Sequence, residues 1–131
     1  MYAASSFREE RPPVLHQFMR EHPFACVVSA NAQGVHLEPR ALLRAIPGVE
    51  LCELSNPHLC CGSAGTYNLD QPDTAASLGA QKAAAVIATG AQVVASGNIG
   101  CLTQLRAHLK KIGSPVQVRH TMQVLRDAYH R

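Results

Sequence analysis

The stretch PDTAASLGAQKAAAVIATGAQVVASGNIGC, residues 72–101, decides the fold class. Its first part, residues 72–89, is rich in alanine and starts with proline, which a first helical turn tolerates. Gly90 ends that predicted helix, and the short apolar run at residues 91–96 predicts a strand. A helical pattern resumes at residues 102–110 after a glycine-rich turn. The stretch therefore predicts a helix, a strand and a second helix in succession.

The same alternation continues towards the N-terminus. Residues 24–29 (FACVVS) predict a first strand, and residues 49–54 (VELCEL) predict a second. Between them, residues 36–46 predict a helix that ends at the Pro47-Gly48 pair. We expect its apolar side chains to face the core and its arginines to face solvent. These inward positions are Leu37, Ala41, Leu42 and Ala45, and the outward ones are Arg40 and Arg44.

Towards the C-terminus, residues 116–118 predict a fourth strand and residues 121–129 a last helix with Met122, Leu125 and Tyr129 facing inward. A short amphipathic helix is also predicted at residues 14–22. Strands that alternate with helices of this length favour a mainly parallel sheet. We therefore expect an α/β fold, a three-layer domain with helices on both faces of the sheet.

Composition excludes several classes of protein. The chain has 131 residues, 47% of them apolar and 16% charged, which fits one globular domain. Its net charge of +3 is spread along the sequence, so we expect no nucleic-acid partner. No apolar run approaches the roughly 20 residues of a membrane span. The first residues, MYAASSFREERPP, lack the apolar segment of a secretory signal, and we expect a cytoplasmic protein.

Cysteine is the residue that points to chemistry. There are five cysteines, and two are adjacent in the glycine-rich stretch Cys60-Cys61-Gly62-Ser63-Ala64-Gly65. The pair follows the second predicted strand and Cys101 follows the third, and ligands in such sheets bind beyond the carboxyl ends of the strands. Three thiolates brought together there favour an iron–sulfur cluster, zinc or copper(I). Cys26, in the first predicted strand, is either a fourth ligand or a packed side chain.

Three stretches resemble a known family: PHLCCGSAGTYNLDQP, ASGNIGCLTQ and VRHTMQVL. They are similar to the C-terminal cysteine-rich (CCG) domain of the glycolate oxidase iron–sulfur subunit, which is related to the CCG domains of heterodisulfide reductase. The resemblance divides the chain into a poorly matched extension, residues 1–23, and a CCG domain, residues 24–131. The family cysteine of the first strand aligns with Val27, one residue beyond Cys26.

The resemblance implies an electron-transfer domain of a complex that oxidises a 2-hydroxy acid. It implies an iron–sulfur cluster, of the 4Fe-4S type, held by Cys60, Cys61 and Cys101 with Cys26 as an open fourth ligand; zinc is the weaker alternative. The implied partners are a flavin-containing glycolate oxidase subunit and a ferredoxin-like part of the same subunit, whose CxxCxxCxxxCP motifs do not occur in these 131 residues. The implied location is cytoplasmic, with peripheral attachment to the inner membrane as a further option.

Two further residues and one rival function stay open. His58 is either a solvated loop histidine or a second-sphere donor to the cluster, and Tyr67 either packs over the next helix or hydrogen-bonds near the site. Cys52 is expected to pack in its strand. The rival function is a truncated, cluster-free α/β remnant that serves only as an interaction module or is inactive.

Overall fold

The computed structural model describes the backbone of residues 24–26 and all atoms of residues 37–130. The predicted helix at residues 14–22 and the proposed extension at residues 1–23 lie outside these ranges. No helix among the described residues is long and apolar enough to cross a membrane. The described elements, in chain order, are β1 (Phe24–Cys26), α1 (Leu37–Arg44), α2 (Tyr67–Asp70), α3 (Pro72–Ala88), β2 (Val93–Ser96), α4 (Ile99–Lys111), β3 (Gln117–His120) and α5 (Thr121–His130).

Among the described residues, β2 is the central strand of a parallel sheet of three strands in the order β1-β2-β3. Cys26 lies opposite Ala95 in the register, and Ser96 lies opposite His120. All four residues of β2 are buried, as expected for a parallel strand covered on both faces. The predicted parallel sheet is confirmed, and the carboxyl ends of its strands lie at one edge.

Two apolar clusters cover the two faces of β2. Val93 and Ala95 pack with residues of α1 and α5, whereas Val94 packs with residues of α3 and α4. Alternate residues of a strand point to opposite faces of a sheet, so the two clusters are the two sides of one sheet. The predicted three-layer α/β arrangement is therefore confirmed.

The predicted inward face of α1 is wrong. Leu37 and Leu42 are 63% and 50% exposed, while Leu43 and Arg40 are buried. Arg40 is directed inward because its guanidinium makes two hydrogen bonds to the Glu53 carboxylate, Nε to Oε1 at 2.7 Å and Nη2 to Oε2 at 2.9 Å. An arginine that pairs with a carboxylate can be buried, whereas an unpaired arginine is expected to face solvent.

The predicted inward face of α5 is only partly correct. Leu125 is buried, but Met122 and Tyr129 are exposed. The face that packs on the sheet consists instead of Val124, Leu125 and Ala128. The helix follows β3 without a loop, since β3 ends at His120 and α5 begins at Thr121. The strand therefore sets the rotation of the helix, which the helical periodicity alone leaves undetermined.

The second predicted strand is also wrong. In the segment VELCEL only Cys52 forms an isolated β-bridge, so residues 49–54 do not form a strand of the sheet. The segment alternates as a strand would, with Val49 and Leu51 packed against one apolar cluster and Leu54 inside the other. A strand also needs a continuous ladder of hydrogen bonds to a neighbour, and that neighbour is not encoded in the segment itself.

Candidate metal centre

The cysteine pair lies in a turn that requires glycine at its third position. Gly62 has a φ of +87°, a conformation that side chains rarely adopt. A Cβ atom there would lie 2.9 Å from the Cα of Ala75 in the first turns of α3. The Gly62 amide donates a hydrogen bond to Cys60 Sγ at 3.3 Å. Glycine therefore lets the turn pack directly on α3 and directs a backbone donor at one of the thiols.

Cys101 lies in the first turn of α4, which begins three residues earlier than the sequence pattern predicted. The side chain of Asn98 caps this helix and accepts hydrogen bonds from the amides of Gly100, at 2.8 Å, and Cys101, at 3.2 Å. Asparagine is among the best N-cap residues because it satisfies amides that the helix leaves unpaired. The positive end of a helix also favours the thiolate form of a cysteine placed there.

The structure brings Cys61 and Cys101 into contact. Their sulfur atoms lie 3.1 Å apart, and Cys61 Sγ is 2.9 Å from Ser63 Oγ. The hydrogen bond shared with Cys101 is the largest cause that lowers the pKa of Cys61 to about 5, with Ser63 contributing in the same direction and burial opposing it. At neutral pH this pair therefore holds a thiolate, which is the form that binds metals.

A cavity of about 470 Å³ opens beside this pair. Its walls include Cys60, Cys61 and Cys101 together with small residues of both loops, which are Ser63, Ala64, Gly65 and Gly100. Thiolates are soft ligands suited to iron–sulfur clusters, zinc and copper(I), so the donor set fits the group expected from the sequence. Among the described residues, however, no three Cys, His, Asp or Glu side chains already converge as a metal would require.

The other predicted site residues are placed as follows. Cys26 is the last residue of β1, at the same sheet edge as the loop before Cys101, and its side chain lies outside the described atoms. His58 is exposed and lines the cavity, whereas Tyr67 begins α2 and is not among the described residues of the cavity wall. Cys52 is a half-buried free thiol that the cavity wall does not include. The ligand and second-sphere roles of these residues stay predictions.

Lys82 is a residue that the sequence analysis missed. It lies on α3, is only 2% exposed, and donates hydrogen bonds to three backbone carbonyls of the loop before Cys60. A signal was present, because Lys82 shares a helical stripe with Ala75, Gly79 and Val86. A lone lysine on an otherwise apolar stripe indicates a buried cation.

His120 also supports the site. Its Nδ1 accepts a hydrogen bond from the amide of Met122 at 3.1 Å, so Nε2 carries the proton of the neutral ring. Nε2 lies 3.2 Å from the carbonyl oxygen of Gly97 and donates to it. The last residue of β3 thereby holds the loop that leads into Asn98 and Cys101.

A profile described as the CCG cysteine-rich domain matches residues 24–106. The chain belongs to the CCG domain family. The resemblance predicted from the CCGSAGTYN and NIGC blocks is therefore confirmed, and the two blocks of this CCG domain are the two loops that meet at Cys61 and Cys101.

Relatives of this CCG domain include an iron-sulfur subunit and two lactate utilization proteins. The probable glycolate oxidase iron-sulfur subunit of Bacillus subtilis (strain 168) is 37% identical over 100 residues, covering 75% of this chain and 22% of the relative. Lactate utilization protein A of Bacillus velezensis is 35% identical over 117 residues, covering 89% and 48%. Lactate utilization protein A of Exiguobacterium sp. is 31% identical over 94 residues, covering 72% and 38%. The chain thus spans less than half the length of each of these relatives.

Proposed function

We propose that this CCG domain binds an iron–sulfur cluster and carries electrons within a 2-hydroxy-acid-oxidising complex. The observation that carries the proposal is the 3.1 Å contact between Cys61 and Cys101, residues far apart in sequence, in a cavity that Cys60 also lines. Packing alone does not account for three thiols around one cavity. The names of the relatives, among them an iron–sulfur subunit, support the same class of cofactor.

In this proposal Cys60, Cys61 and Cys101 hold the cluster, and Cys26, at the end of β1, is the open candidate for a fourth ligand. The bound cluster would accept and donate single electrons. The chain's own contribution is to keep the thiolates together: the Asn98 cap orients Cys101, and Ser63 donates a hydrogen bond to the Cys61 thiolate. The 4Fe-4S type, the electron donor and the acceptor are parts of the proposal that follow from the resemblance.

The proposed partners are a flavin-containing subunit of glycolate oxidase type, which would oxidise the substrate, and a ferredoxin-like part of the same subunit. The resemblance implies that the 2-hydroxy acid binds to the flavin-containing subunit and not to this domain. The proposed location is the cytoplasm, with peripheral attachment to the inner membrane as a further option.

The test is reconstitution under anaerobic conditions with iron and sulfide, followed by analysis of iron, acid-labile sulfide and the EPR spectrum. Cys61→Ser and Cys101→Ser should abolish the cluster signal, because each removes one thiol of the contacting pair. Cys52→Ser is the matched control and should leave the signal unchanged, since Cys52 lies outside the cavity wall. Equal loss of signal in all three variants would contradict this ligand assignment.

A cluster-free interaction module is the second candidate. One observation favours it: among the described residues, the cysteine side chains do not already converge in a ligand geometry. If the wild-type protein takes up neither iron nor sulfide under these conditions, the electron-transfer proposal fails. Stoichiometric zinc without sulfide would show instead that the same thiols form a zinc site.

A further inference from the structure

Lys82 is the most unusual charged residue in the described chain. It lies in the second half of α3 on the face that packs against the sheet, and it is almost completely buried. Lysine is almost never fully buried unless its ammonium group has partners. Among the described residues, Lys82 forms no ion pair with a carboxylate. Its partners must therefore explain why a cation is retained there.

Those partners all belong to one short segment. Lys82 Nζ donates to the carbonyl oxygens of Asn56, Pro57 and Leu59, at 3.3, 3.2 and 2.9 Å. An ammonium group has three protons, so its entire donor capacity is used. The segment also contains a turn in which the Leu59 amide donates to the Asn56 carbonyl at 3.2 Å. The next residue in the chain is Cys60.

The position of this contact matters because, in the described part of the chain, no strand directly precedes the cysteine pair. Residues 49–54 form only an isolated bridge at Cys52, and the pair lies well beyond it. Gly62 packs on Ala75 at the beginning of α3, and Lys82 holds the turn before Cys60 from two helical turns further along. The same helix therefore fixes the loop on both sides of the cysteine pair.

Charge links Lys82 to the same thiols. Burial is the main cause that lowers the pKa of Lys82, and the negative charges of Cys101, Cys61 and Cys60 oppose that fall. The ammonium group also lies against the Leu59 carbonyl, one residue before Cys60, so the buried cation lies beside the loop that carries two of the predicted ligands. A fixed positive charge near thiolates stabilises them in the low-dielectric interior.

We propose that Lys82 is a positioning residue of the metal centre: its ammonium group clamps the Asn56–Leu59 turn, places Cys61 against Cys101, and offsets the negative charge of the bound thiolates. The charge effect rests on the proposed cluster site, because it concerns thiolates that hold a cluster. The clamp, which is the set of hydrogen bonds from Lys82 to the turn, is a property of the metal-free chain. The two effects can be measured separately.

The clamp is tested without metal by trapping a Cys61–Cys101 disulfide with oxidised dithiothreitol and quantifying the cross-linked peptides. Lys82→Met removes the three hydrogen bonds but keeps a side chain of similar length, and we expect several-fold slower trapping. Lys110→Met, at an exposed site on α4, is the matched control and should react like the wild type. If the disulfide forms in Lys82→Met at the wild-type rate, the clamp is excluded, whether or not a cluster forms.

The charge effect is tested on reconstituted protein. Lys82→Met should lose iron to a chelator about tenfold faster, as is typical when a residue that supports metal ligands is removed. Its cluster should also have a more negative reduction potential, because cluster potentials depend on nearby charge. Lys82→Arg keeps the cation, so its potential should lie closer to that of the wild type. If the cluster has the same reduction potential in Lys82→Arg and in Lys82→Met, the charge effect is excluded.

Replacing a buried residue can prevent folding, so one measurement uses the wild-type chain. Acylation with an amine-reactive reagent should modify Lys110 and Lys111, which are exposed, much faster than Lys82. Equal rates at all three lysines would overturn the clamp. Absence of a cluster in the wild type, together with protected Lys82 and fast disulfide trapping, would contradict the proposed function while supporting the clamp.

Discussion

At the scale of single residues, Gly62 and Gly65 perform different tasks within the same turn. Both have positive φ, +87° and +55°, so both tolerate a side chain poorly. Only Gly62 also lies against another element, where a Cβ would collide with the Ala75 backbone. No atom lies within 4 Å of a Cβ built at Gly65. Substitutions at the two glycines therefore distinguish the cost of backbone strain from the cost of a steric collision.

We expect Gly62→Ala to lower the free energy of unfolding by about 2 kcal/mol or more, since strain and collision add. Gly65→Ala should cost about 1 kcal/mol, from strain alone. Urea denaturation of the metal-free protein measures both. If both variants lose the same free energy of unfolding, the Ala75 backbone does not restrict the space at Gly62.

Lys82 illustrates at the same scale why some of the site escaped prediction. Its position on an apolar stripe indicates burial, but its three acceptors are carbonyl groups more than twenty residues away. Backbone carbonyls are present in every residue, so the sequence does not show which ones a buried ammonium meets. Cysteine, in contrast, is rare and chemically distinct, and the contacting pair was predictable.

At the scale of elements, the Arg40–Glu53 pair joins α1 to the segment, residues 49–54, that precedes the cysteine loop. Glu53 accepts two hydrogen bonds from Arg40, and these are the main cause that lowers its pKa, with Arg44 adding a weaker attraction. A carboxylate whose pKa is lowered by folding stabilises the native state above its unfolded pKa. That contribution is lost as the pH falls through the lowered value.

We therefore expect Glu53→Gln to destabilise the chain at pH 7 and to have a smaller effect below about pH 4. The loss at pH 7 should be on the order of 1 kcal/mol, because the Glu53 side chain is 42% exposed and water screens the pair. Urea denaturation at both pH values measures the difference. Glu50→Gln, at an exposed position in the same segment, is the control. A pH-independent difference between wild type and Glu53→Gln would exclude the carboxylate as its source.

At the scale of the whole molecule, β2 links the two apolar clusters, so the layers on either side of the sheet should unfold together. Val93 faces one cluster and Val94 the other, and both are buried. We expect Val93→Ala and Val94→Ala each to lower the free energy of unfolding by about 2 kcal/mol, from two lost methyl groups and the space they leave. Val118→Ala, at a half-buried position of β3, should cost less.

The measurement is thermal unfolding followed both by far-UV circular dichroism and by calorimetry. Each variant should show one transition at a lower temperature by both methods. Separate transitions for the two faces in either valine variant would mean that the layers are independent units, in which case the cysteine loop could loosen without loss of the first cluster.

The amino-acid sequence by itself determined the class of the fold, the family, and which cysteines lie beside the cavity. Helical and strand periodicities depend on neighbouring residues in the chain, so α3, β2 and the alternation of elements were predictable. The meeting of the cysteine pair with Cys101 was also predictable, although for a partly wrong reason: the pair does not follow a strand of the sheet.

The tertiary structure alone decided which face of each helix is buried and what holds the cysteine loop. Periodicity defines a stripe, but the neighbouring element selects its rotation, as Arg40 in α1 and Val124 in α5 demonstrate. The turn before Cys60 is held by Lys82 because folding brings a buried ammonium group to three carbonyls distant in sequence. Such contacts are made between segments, and no single segment encodes them.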